Sequence, residues 1–92
     1  MKFDDAAFRH GKSQEDIEFV YASMLSEWFS NGHSDRGNER AMIVGFDPLG
    51  NLVEVGLELI QDEHGQDEEY FYHAMSATPE WQKRYQEQRP HV

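Results

Sequence analysis

Cysteine is absent from the 92 residues, which excludes a disulfide scaffold and any thiolate metal site. Positive charge is scarce: eight Lys and Arg stand against eighteen Asp and Glu, a formal net charge of -10. Nucleic-acid binders gain affinity by releasing phosphate counterions, and that takes clustered positive charge. The mean field of this chain repels RNA, so a basic patch has to be local and small. The same acidic balance suits a protein partner with a basic surface. No stretch approaches the roughly 18 apolar residues of a membrane-spanning helix. The opening Met1-Lys2-Phe3-Asp4-Asp5 puts no apolar run behind a basic patch, so no signal peptide is expected and the cytoplasm is the default location.

What the chain does carry is aromatic bulk. Six Phe, four Tyr and two Trp bring the aromatic share to 13%, enough for a core built on a few large side chains. The mean hydropathy of -0.83 is low, yet this supply separates the chain from compositionally disordered ones. At this length the expectation is one domain over residues 1–92 with one modest core.

The first helix signal is Ser13 followed by Gln14-Glu15-Asp16, an N-cap with acids in the first turn, where the helix dipole favours them. Ile17, Val20, Tyr21 and Met24 recur at helical spacing, so a helix is expected over about 14–23. Met24 to Phe29 extends that helix or begins a strand; the pattern is open. Ser30 to Asn38 is a loop by its Gly, Asn, Ser and Asp content.

Three strands are expected next. Arg40 to Phe46 is short and apolar, and Asp47-Pro48-Leu49-Gly50-Asn51 is a turn. Leu52 to Ile60 alternates, with Val53, Val55, Leu57 and Leu59 inward and Glu54, Gly56 and Glu58 on a wet face. Gln61 to Asp67 reads as an acidic hairpin end. In the strand Glu68 to Met75, Tyr70, Tyr72 and Ala74 oppose Glu69, Phe71, His73 and Met75. A closing helix starts with Thr78 as N-cap, Pro79 first and Glu80 in the first turn, and it ends before Pro90. Trp81 and Tyr85, four apart, share its packing face. The expected fold is α+β: helices on one face of an antiparallel meander of about three to four strands, two layers in all.

On this frame a set of residues resembles the BrnT family of bacterial toxins. Arg9-His10-Gly11-Lys12-Ser13 with Glu15-Asp16 is similar to that family's K-H-G-V-S-F-E-E opening. His33-Ser34-Asp35, then Glu39-Arg40 and Gly45, resemble its H-S-D…E-R…G segment, with Gly50 at its central turn. Ala74, Ala77-Thr78 and Tyr85 resemble its closing A-R-R-A-T…Y pattern; the order holds from about Phe8 to Tyr85. The resemblance implies a RelE-like fold, RNA cleavage without a metal or cofactor, and a small basic ribbon-helix-helix antitoxin of the BrnA type as partner. Met75 and Ser76 stand where the family pairs two arginines. That difference keeps a second expectation open, a protein-binding domain with the fold but without the chemistry.

Metal-independent RNA cleavage needs a base for the 2′-hydroxyl proton, cations for the phosphate and an acid for the leaving oxygen. Arg40 is the first candidate, since a guanidinium fork holds two phosphate oxygens; its plain alternative is a surface pair with Glu39 or a neighbouring acid. His73 is the candidate base, beside Arg84, against the alternative of a histidine held among strand aromatics. Glu80 is a further candidate base, although its place in the first helical turn already accounts for it. His33 and Asp35 suggest a metal or an Asp–His pair, whereas Asp35 also suits a turn cap. His10 belongs more simply to the helix entry. The five histidines match no zinc spacing.

Overall fold

The computed structural model describes residues 1–89. Its order is β1 (Lys2–Phe3), a 3₁₀ turn (Asp5–Phe8), α1 (Gln14–Ala22), β2 (Glu27–His33), β3 (Glu39–Phe46), β4 (Leu52–Gln61), β5 (Asp67–Ser76) and α2 (Pro79–Gln88). The α+β class stands, but the sheet has five strands, ordered β1-β5-β4-β3-β2, where three to four were expected. β2 to β5 form the antiparallel meander, and β1 adds to β5 in parallel, Lys2 beside Tyr70 and Phe3 beside Phe71. Two residues carry no readable alternation; pairing and the Phe3–Phe71 stack, at 5.1 Å between centroids, hold β1 in place. Pro90, the expected helix stop, lies outside the described residues.

One turn grammar builds all three hairpins. In Ser34–Asn38, Asp47–Asn51 and Asp62–Gln66 the first N–H donates to the fifth carbonyl, at 2.8, 2.9 and 2.8 Å. The fourth residue is Gly37, Gly50 or Gly65, with φ of +83°, +83° and +75°. A type I turn followed by a left-handed glycine needs that conformation, which only glycine adopts cheaply. The expected loop from Ser30 to Asn38 is therefore corrected: its first four residues, Ser30 to His33, belong to β2. The segment left open resolves as the end of α1 at Ala22 and the start of β2 at Glu27.

α1 begins as its sequence says. The Ser13 hydroxyl accepts from Asp16 N and the Asp16 carboxylate accepts from Ser13 N, a closed capping box. Met24, expected on its apolar stripe, is 99% exposed because the helix has already ended. α2 starts at Pro79, but Thr78 makes no side-chain cap. A carboxylate from the sheet anchors the start of the helix instead: Glu54 Oε1 accepts from Thr78 N at 2.7 Å.

The helices lie on opposite faces of the sheet, which corrects the two-layer expectation. Ile17 and Val20 of α1 join Ile43, Val53, Val55, Leu57, Phe71 and Ala74 in one core. Trp81 and Tyr85 of α2 join Met42, Val44 and Ala77 in the other. The consecutive run Met42-Ile43-Val44 fits a strand covered on both sides. The wet face expected of β4 is likewise dry, with Glu54 and Glu58 both buried.

Gly45 shows how closely β3 approaches the chain before β2. A Cβ there would sit 1.9 Å from Ser26 Oγ and 2.8 Å from Ser26 Cβ. That hydroxyl donates to Val20 O at 2.6 Å and so completes the end of α1. Gly45→Ala is expected to cost about 2 kcal/mol by overpacking. Urea titration checks this, and adding Ser26→Gly should return part of the loss.

Candidate functional site

Across β3, β4 and β5 the α2 side of the sheet carries Arg40 beside Glu58 and Tyr70, and Gly56 beside His73. α2 covers one end of this face, through Trp81 against Phe29 and Tyr85 against Phe46. The other end holds polar and aromatic side chains. A β-bulge creates it: the register shifts between Gly56 and Leu57, so Tyr72 is an extra residue on β5. Strict alternation put His73 with Phe71 and opposite Tyr72. The bulge instead leaves Phe71 on the α1 side and puts Tyr72 and His73 together on the α2 side. Gly56 makes room for this, since a Cβ there would meet the Tyr72 ring and His73 Cβ, both at 3.1 Å.

Two buried carboxylates organise the face. Glu54 holds α2 through Thr78 N and holds His73 through a 2.9 Å contact from Oε2 to Nε2. A carboxylate only accepts, so His73 Nε2 is the donor of that bond, and in the neutral ring Nδ1 carries the lone pair. His73 keeps 26% of its side chain exposed, with the His10 ring edge-on at 5.9 Å.

Glu58 is 1% exposed and takes three partners. Asn38 Nδ2 donates to Oε2 at 2.8 Å, Arg36 Nη2 donates to the same oxygen at 3.1 Å, and Arg40 Nε lies 3.6 Å from Oε1. The Asn38 hydrogen bond does most to hold this carboxyl below its ordinary value, against its burial; Arg36, Ser34 and Arg40 add to it. Arg40 lies over Tyr72, Cζ to centroid 4.8 Å, and among the described residues its buried Nε has no hydrogen-bond partner. Tyr70 bonds to Asp4, which lowers the Asp4 carboxyl and raises the phenol.

The sequence candidates thus divide. Arg40 and His73 share this face, with Tyr72 between them. Arg40 pairs with Glu58, across the sheet, and not with Glu39. His73 sits against Glu54, and among the described residues no hydrogen bond joins it to Arg84. Arg84 instead pairs with Glu80 at 3.4 Å and lies over Trp81 at 4.6 Å, on the outer side of α2. His33 ends β2 and Asp35 sits in the first hairpin turn, both exposed, with no hydrogen bond between them. Among the described residues no three His, Asp or Glu side chains gather as a metal would need.

Glu54, Glu58, Arg36, Asn38 and Tyr72 were not singled out from sequence. One signal was available: in Glu54-Val55-Gly56-Leu57-Glu58, two acids flank a glycine on the face of an otherwise apolar strand. Nothing local names their partners, which lie about twenty residues away in the chain. No helix among the described residues is long and apolar enough to cross a membrane. No protein-family model matches this chain, and no curated protein matches its sequence.

Proposed function

We propose that the chain is a BrnT-like, RNA-cleaving toxin of a toxin–antitoxin pair, with a RelE-like fold. The observation that carries the chemistry is a histidine fixed by a buried carboxylate on the same sheet face as an arginine, His73 on Glu54 beside Arg40. His73 Nδ1 takes the proton of a 2′-hydroxyl, and that oxygen attacks the adjacent phosphorus. The bond to the 5′-oxygen breaks, leaving a 2′,3′-cyclic phosphate, and the imidazolium returns its proton to the leaving oxygen. Arg40 offers guanidinium N–H groups to the phosphate oxygens as charge builds on them. No step needs a metal. Arg84 and Glu80, paired on the exterior of α2, stand outside this core. The partner is a small basic ribbon-helix-helix protein, drawn to a chain of net charge -10.

Purified protein with a chelator present is expected to cut RNA to cyclic-phosphate ends. His73→Ala should lower the rate at least about a hundredfold while keeping the fold. Intact RNA with the wild-type protein, or full cleavage by the variant, would overturn the proposal.

A second reading has its own observation. Both arginines of the face already have a carboxylate partner in Glu58, and Arg84 has one in Glu80. That suits a binding domain without catalysis. It fails if induction of the gene arrests growth and Arg40→Ala relieves the arrest without loss of fold.

A further inference from the structure

Six of the eight Lys and Arg, namely Lys2, Arg36, Arg40, Lys83, Arg84 and Arg89, lie on the α2 side of the sheet. Each of them has a carboxylate partner on that side: Glu68, Glu58, Glu87, Glu80 or Glu27. Within that side, Arg36 and Arg40 converge on the one carboxylate of Glu58, two cations to one anion. Arg36 engages it through Nη2 alone and is 71% exposed, so the rest of its fork faces solvent. Arg40 is 39% exposed and, among the described residues, donates no hydrogen bond. Its plane lies over Tyr72, and Tyr70 stands across from Glu58 in the neighbouring strand. A hollow of about 540 Å³ opens beside Arg36, lined also by Asn38, Ile60 and the two acids Glu39 and Asp67.

We propose that Arg36 and Arg40, over Glu58, form a phosphodiester subsite that takes single-stranded RNA on the α2 side of the sheet. The inference rests on the nuclease reading only for the identity of the strand. A phosphate fits the free guanidinium N–H groups, which a carboxylate below holds in place without using them up. A base next to that phosphate stacks on the Arg40–Tyr72 pair, a contact open to unpaired bases and closed to paired ones.

The test uses the full chain and a labelled 2′-O-methyl RNA of unpaired sequence, which binds but offers no 2′-hydroxyl to cleave. Fluorescence anisotropy should show binding that a duplex of the same sequence does not match. Arg36→Ser is expected to weaken it about tenfold and to reduce the slope of log affinity against log salt by about 0.7, one phosphate contact. Lys83→Ser, a surface cation of α2, should leave both unchanged. No binding, equal binding of duplex, or affinity indifferent to Arg36→Ser overturns the subsite. A wild-type protein that binds this strand yet leaves unmodified RNA uncut sinks the nuclease reading and keeps the subsite. One that cuts RNA while ignoring Arg36→Ser does the reverse.

Discussion

Phe71→Ala is expected to lower stability by about 3–5 kcal/mol, the usual cost of deleting a fully buried aromatic ring. The ring is 0% exposed, stacks on Phe3 at 5.1 Å and meets Tyr21 edge-on at 5.7 Å. Its removal therefore opens a cavity where α1, β1 and β5 meet. Domains of this size hold about 5–15 kcal/mol in all, so the variant keeps a marginal fold at best. Each kcal/mol moves the midpoint of a domain this small by about 4–8 °C, so thermal melting should fall by more than about 12 °C. Phe71→Leu, which conserves most of the volume, should cost about 1.5 kcal/mol or less. Melting followed by circular dichroism separates the two. A loss below about 1 kcal/mol for the alanine variant would mean that this core does not carry the fold.

Phe71 matters beyond its own area because it sits between two residues of the candidate site. Its place on the α1 side, opposite Leu57, fixes which side of the bulge Tyr72 takes. Such a bulge is invisible to a reading based on alternation. One extra residue reverses every assignment after it, which is why His73 changed faces. Elements with local signals were legible: the capping box of α1, the Asp47–Asn51 turn and the Pro79 start of α2. The Ser34–Asn38 turn uses the same grammar as Asp47–Asn51, and setting the two side by side ends β2 at His33. β1 has no such signal, since two residues paired across nearly seventy positions leave no local pattern. The second helix layer was hidden for a related reason. Glu54 and Glu58 mark a wet face by polarity alone, and only partners distant in sequence make their burial tolerable.

The site shows the same division. Arg40 and His73 were legible as residue types suited to phosphate chemistry, and the fold does set them on one face. Their fixed orientations come from Glu58 and Glu54, which read as ordinary solvated acids. Arg84 was drawn in by charge. Its helical position gives it Glu80 one turn back, an i, i+4 pair that any exposed helix face offers.

Glu58→Gln tests whether that buried carboxylate organises the face, and it is expected to cost about 3 kcal/mol at pH 7. The amide keeps the size and shape but turns one acceptor into a donor. With its oxygen toward Asn38 and Arg36, its NH2 faces Arg40 Nε; turned round, its NH2 faces Asn38 and Arg36. Either way a buried donor meets a donor, and hydrogen bonds to a charged acceptor are lost. The stranded cations soften the loss, because Arg36 turns out to water at little cost. The pH dependence has a definite sign. Glu58 is held below the ordinary value of 4.5, so its stabilisation is complete above that value and fades as pH falls through the lower, folded one. The gap between wild type and Glu58→Gln should therefore be widest near neutrality and narrow progressively below about pH 4.5. Chemical denaturation from about pH 3 to neutrality follows it. A constant gap would mean that the glutamine side chain fails by shape rather than charge, and no gap at all would remove Glu58 from any part in setting Arg40 and Arg36.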